Sequence, residues 1–109
     1  MTVCFKKIDP NYEIYFHCVK SPSGRWKHAT KQDVACEGSD TFIDDNGNEY
    51  PLKHILYIGT IGDALSSLWV MGGTEDDIDD AEAIPIKVSN INERKKIINY
   101  LDQNKCNKQ

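Results

Sequence analysis

Alternating apolar and polar positions give the strongest signal in the first half of the chain. Residues 3–8 are short and β-prone, and Asp9-Pro10-Asn11 breaks them. Over 12–20, Tyr12, Ile14, Phe16 and Cys18 fall on one strand face and Glu13, Tyr15 and His17 on the other. Ser21-Pro22-Ser23-Gly24 fits a type I turn, so 25–30 is expected to return as a hairpin strand. Asp45-Asn46-Gly47-Asn48 marks a second hairpin between 41–44 and Glu49 onward, its Asn-Gly pair suiting a type I′ turn. Pro51 puts the returning strand at an edge or bulge.

The second half changes period. Residues 53–58 are apolar on both strand faces, Ile55 and Tyr57 against Leu56 and Ile58, which predicts a central strand covered on both sides. Thr60-Ile61-Gly62-Asp63 has the form of a capping box. Ile61, Ala64, Leu65, Leu68 and Trp69 follow at helical spacing, and Gly72-Gly73 ends the predicted helix. Ile84, Ile86 and Val88 alternate as a short strand. Asn90 with Glu93 opens a final helix, with Ile91, Ile98 and Leu101 on one stripe beside Ile97. The polar residues 104–109 are expected to fray.

Strand, helix and strand over 53–88 imply a right-handed crossover between parallel strands. The expected fold is α+β: a small mixed β-sheet, built of N-terminal antiparallel hairpins and that one crossover, packed with two α-helices. With 109 residues and no repeat or linker, a single domain over 1–109 is expected.

At this length a core is possible without metal or disulfide. No apolar run approaches the roughly 18 residues of a membrane span, and the first residues hold no apolar stretch of signal-peptide length. Cys4, Cys18, Cys36 and Cys106 form no C-x-x-C pair and leave every pairing open. Reduced, mostly buried thiols and a cytoplasmic location are expected.

Charge is the least ordinary feature. The formal net charge of −4 divides into +4 over residues 1–31, −12 over 32–86 and +4 over 87–109. Glu75, Asp76, Asp77, Asp79, Asp80 and Glu82 place six carboxylates in the eight positions 75–82. Such a run suits a solvated loop, a docking surface for a basic protein, or a divalent cation. The spaced acidic order and sixth-position glycine of a calcium loop are missing, and Asp44-Asp45-Asn46-Gly47 would need Phe42 as its first ligand. No metal and no cofactor is expected.

Cysteines and histidines supply residue types for nucleophilic chemistry but no motif. His17 and Cys18 are neighbours on one strand and point to opposite faces. His54, on the face of Leu52 and Leu56, reads as a hydrogen-bonded core histidine. A zinc set of His17, Cys18, His28 and Cys36 would need ligands from both faces of one strand. Gly59-Thr60-Ile61-Gly62 lacks the third glycine of a dinucleotide site and the Gly-Lys of a P-loop, and reads as a tight turn.

No catalytic residues are expected. The reading is a small acidic non-enzymatic binding protein, an inhibitor or immunity/anti-defence-type protein. Its segment 75–82 would occlude the basic, nucleic-acid-handling surface of a protein target, with Trp26 as aromatic contact and Trp69 in the core. A nucleic-acid-binding module using the basic ribbon 20–31 is the alternative, opposed by a sequence pI near 5.3. Self-assembly, each basic end meeting a neighbour's acidic middle, is a third possibility, so a homo-oligomer is allowed and a membrane partner is not expected.

Overall fold

The computed structural model of the chain describes residues 3–7, 9–38, 40–72 and 83–106. In chain order these hold β1 (Val3–Lys7), β2 (Ile14–Lys20), β3 (Trp26–His28), β4 (Thr41–Ile43), β5 (Glu49–Pro51), a 3-10 turn (Leu52–His54), β6 (Ile55–Ile61), β7 (Ala64–Met71), β8 (Ala83–Pro85) and one helix, α1 (Ile91–Gln103). The main sheet runs β1-β2-β6-β7-β8, and β3 pairs with the end of β2 on the edge that β6 also uses. β4 and β5 form a separate hairpin. All of these strand pairs are antiparallel.

The expected crossover and its helix are therefore corrected. Residues 61–69, read as helical, are the end of β6, a turn and most of β7, and the described residues hold one helix. Two local features explain the misreading. Ile61 pairs with Ala64 across the two-residue loop Gly62-Asp63, and Gly62 has φ +63°. Positive φ at the first loop position belongs to a type II′ hairpin, where glycine carries no steric cost. Further on, Thr60 faces Leu65 while Gly59 faces Ser67, so Ser66 is an extra residue on β7. That bulge moves the inward set from Leu65 to Leu68 and Val70, all buried. A spacing of three, produced by a bulge, mimics the helical period.

Gly59 lies opposite this bulge. A Cβ there would overlap the Ser67 hydroxyl oxygen and sit 3.1 Å from that of Ser66. The hairpin closed by Asp45–Gly47 also differs from its expected turn type. Among the described residues only glycines have positive φ, so Asn46 does not, and Gly47 N–H donates to the Asp44 carbonyl at 3.1 Å. This is a type I turn followed by a left-handed glycine. Asp44 Oδ1 secures it by accepting from the backbone N–H groups of Asn46 and Asn48 at 2.9 and 2.8 Å.

β6 is the middle strand of the five-strand path, as its two apolar faces suggest. The main core joins Phe5, Phe42, Leu52, Ile55, Ile58, Leu65, Leu68 and Val70 to Val88, Ile97 and Leu101. α1 therefore covers one face of the sheet. Asn90 caps it, accepting from the N–H groups of Asn92 and Glu93. Glu93 accepts from Ile43 N–H at 2.8 Å, Lys96 donates to the Thr41 carbonyl at 3.0 Å, and Arg94 donates to the carbonyls of Leu65 and Val88. A second, smaller cluster joins Val19, Ala29, Val34, Leu56 and Met71, with Val3 and Tyr57 packed against it.

The cysteines depart from the expected reduced state. Cys4 and Cys106 form a disulfide, Cys18 is a buried free thiol and Cys36 an exposed one. Asn104 to Cys106, read from the sequence as the start of a frayed tail, are fastened to β1. Phe5 N–H donates to the Asn104 carbonyl at 2.7 Å, and Cys106 N–H donates to the Phe5 carbonyl at 2.9 Å. No described helix is long and apolar enough to cross a membrane.

Candidate functional site

Strand register decides which side chains share a face. Lys7, Tyr15, Ile58 and Leu68 form one row, on the helix side with Phe5 and His17. The next row is Lys6, Phe16, Tyr57, Trp69 and Pro85, crossing β1, β2, β6, β7 and β8 on the opposite face. Beside it lie Cys4, Cys18 and His28, and beyond them Lys20 and Trp26. No second helix covers this face among the described residues. The smallest extent of the molecule, 22 Å, matches one sheet and one helix, each about 10 Å deep.

The rings on this face touch one another. Phe16 stacks on His28 with centroids 4.9 Å apart and 5° between planes. Tyr57 meets Phe16 edge-on at 5.0 Å, and Trp69 meets Tyr57 edge-on at 6.1 Å. The Lys6 and Lys20 ammonium groups lie 5.5 and 5.9 Å from the Trp26 ring centre. Phe16, Trp26, Tyr57 and Trp69 are half-buried, while Lys20, His28 and Pro85 are exposed. Beneath them, burial pushes the Cys18 thiol up to about 11, which leaves it protonated and unreactive at neutral pH.

Trp26 is half-buried on the open face, between the Lys6 and Lys20 ammonium groups. Trp69 does not belong to the core: the bulge at Ser66 sets it on the open face in line with Tyr57. Phe16, Tyr57 and Trp69 were missed as a set because only the pairing of β2, β6 and β7 brings them together. The acidic residues Glu75, Asp76, Asp77, Asp79, Asp80 and Glu82 lie outside the described residues. Flanking residues Met71 and Ala83 are paired, two positions from Trp69 and Pro85.

The other candidate groups are separated or already engaged. His17 faces the helix side, stacked on Phe5 at 4.4 Å with Nδ1 3.1 Å from the Ile55 carbonyl oxygen. That oxygen accepts only, so neutral His17 carries its proton on Nδ1. Cys18 and His28 lie on the open face, so the drawn zinc set is divided by the sheet. Among the described residues no three His, Cys, Asp or Glu side chains are placed to hold a metal ion. Asp45 accepts from Ser89 N–H and Oγ–H at 2.7 Å each, and these bonds hold its carboxyl below the usual range. Gly59 to Ile61 belong to β6, so no helix N-terminus follows them to receive a phosphate.

No family model, curated protein or solved structure matches the chain.

Proposed function

We propose that the protein works by binding a macromolecular partner, without turnover, and that its contact surface is the open sheet face around Trp26. The observation that carries this reading is the row of half-buried rings, Phe16, Tyr57 and Trp69, continued by His28 and Trp26. Large aromatic side chains left at a surface lose little conformational entropy on contact and are frequent binding anchors. The expected inhibitor function is one form of this reading. In that form segment 75–82, which lies between β7 and β8 in the sequence, supplies charge for a basic protein target, and the rings supply the anchors.

A cytoplasmic location is part of the proposal and has a consequence. In a reducing cytosol Cys4 and Cys106 would be thiols, and residues 104–106 would keep their backbone hydrogen bonds to Phe5 on β1.

The test is retention of partners from host lysate by tagged wild type, by Trp26→Ala and by a variant with Asp76, Asp77, Asp79 and Asp80 changed to Asn. A protein retained by wild type, released by salt and lost from both variants supports the inhibitor form. Loss from Trp26→Ala alone supports the face without the acidic segment. Retention by both variants refutes the reading.

A further inference from the structure

We propose that the open face binds single-stranded nucleic acid, an inference that rests on the reading of this face as the docking surface. Where the face is charged it is cationic, with Lys6 and Lys20 both beside Trp26. Residues 14–32 carry Lys20, Arg25, Lys27 and Lys31 and no carboxylate. Lys27 does not add to this charge, because it pairs with Val19 on the helix side and its ammonium lies 3.9 Å from the Asp33 carboxylate. An anionic partner is therefore complementary to this corner, and a basic one is not. The rings add a second requirement, a partner with flat apolar groups to place against them. A single strand offers both, phosphates for ammonium groups and unpaired bases for aromatic rings.

The shape of the surface selects against a duplex. The major groove admits a helix or a two-stranded ribbon, whereas these rings lie across four strands of a sheet, β2, β3, β6 and β7, and paired bases cannot turn onto them. His28 stacks on Phe16 in a nearly parallel arrangement and is exposed, so a base can extend that stack. Trp26 offers a large ring flanked by two cations, where a base and its phosphates meet complementary groups together.

The net charge of −4 opposes binding driven by charge alone. Stacking is much less dependent on that charge, so affinity here comes chiefly from rings and only a few ionic contacts form. This predicts a shallow salt dependence. With two phosphates neutralised, the slope of log K against log salt is about −1.4 for a single strand.

The test uses the full-length protein with a fifteen-nucleotide oligothymidylate. Trp26 and Trp69 are the only tryptophans, and both lie on this face, so stacking is expected to quench the intrinsic fluorescence. Quenching, a raised anisotropy of labelled strand and weaker binding of a duplex of equal length are the expected results. Trp26→Ala should weaken binding about fivefold or more. Lys6→Gln with Lys20→Gln should remove most of the salt slope, and this surface change keeps the test valid if the tryptophan variant misfolds. Lys95→Gln, on the helix side, should change neither. Absence of strand binding, or equal binding of duplex, overturns the proposal. If a host protein is instead retained by wild type and lost from Trp26→Ala, the nucleic-acid assignment fails while the docking face stands. Strand binding unaffected by either set of substitutions overturns both.

Discussion

Replacing His17 by Gln removes a titrating group from the core while keeping an N–H donor near the Ile55 carbonyl. Burial is the dominant influence on this imidazole and pushes its pKa down to about 4, against 6.5 unperturbed; the bond to Ile55 opposes the shift. Between those values the unfolded chain takes up a proton that the folded chain refuses, so stability falls as pH falls. The contribution is fully present above 6.5, declines through the window and is lost below 4. One pH unit corresponds to about 1.4 kcal/mol. Integrated from pH 7.5 to 4.5, His17 should withdraw roughly 2–3 kcal/mol of stability. Urea unfolding at both pH values measures this for wild type and His17→Gln, and comparison of the two removes the share of carboxylates common to both. The variant is expected to be less stable at pH 7.5 yet to lose about 2–3 kcal/mol less on acidification. Parallel losses in the two proteins would refute the reasoning, because His17 would then be free to protonate in the folded state.

Three further outcomes follow from the fold. Gly59→Ala should cost about 1–2 kcal/mol through overlap with the Ser67 hydroxyl, and adding Ser67→Ala should restore stability, read as a coupled double-mutant cycle in thermal melts. Reduction, or Cys106→Ser, opens a link spanning 102 residues; in the chain-entropy account such a loop is worth about 4–5 kcal/mol, so the denaturation midpoint should fall sharply on adding reductant and not at all in the variant. Asn90→Ala leaves the N–H groups of Asn92 and Glu93 without their cap and should cost about 1 kcal/mol, measured by denaturant unfolding.

How far the sequence revealed this arrangement depended on whether the governing interaction was local. Ser21-Pro22-Ser23-Gly24 and Asp45–Gly47 announce their hairpins because the turn residues themselves fix the chain, and Asn90 announces α1 because it caps it. Residues 61–69 misled because a bulge is defined against a partner strand. Without knowing that Gly59 faces Ser67, the intervals between Leu65, Leu68 and Trp69 match a helix. Gly62-Asp63 is a two-residue hairpin loop in the structure, while in the sequence the same residues complete the capping-box pattern of Thr60 and Asp63. Of the ring-bearing face, only Trp26 was legible as an exposed aromatic. Tyr57 and Trp69 join it through register, and Cys4 meets Cys106 through the return of residues 104–106 to β1, neither of which is encoded in local spacing. The acidic run is conspicuous in composition, and it lies outside the described residues.

The central claim is that the partner meets the protein on the ring-bearing face and not on α1. A photo-reactive amino acid placed at position 28 samples the first surface, and one placed at position 95 samples the second; His28 and Lys95 are both exposed. Irradiation in host extract is predicted to give a discrete adduct, with protein or nucleic acid, from position 28 and none from position 95. An adduct formed from position 95 alone would contradict the account.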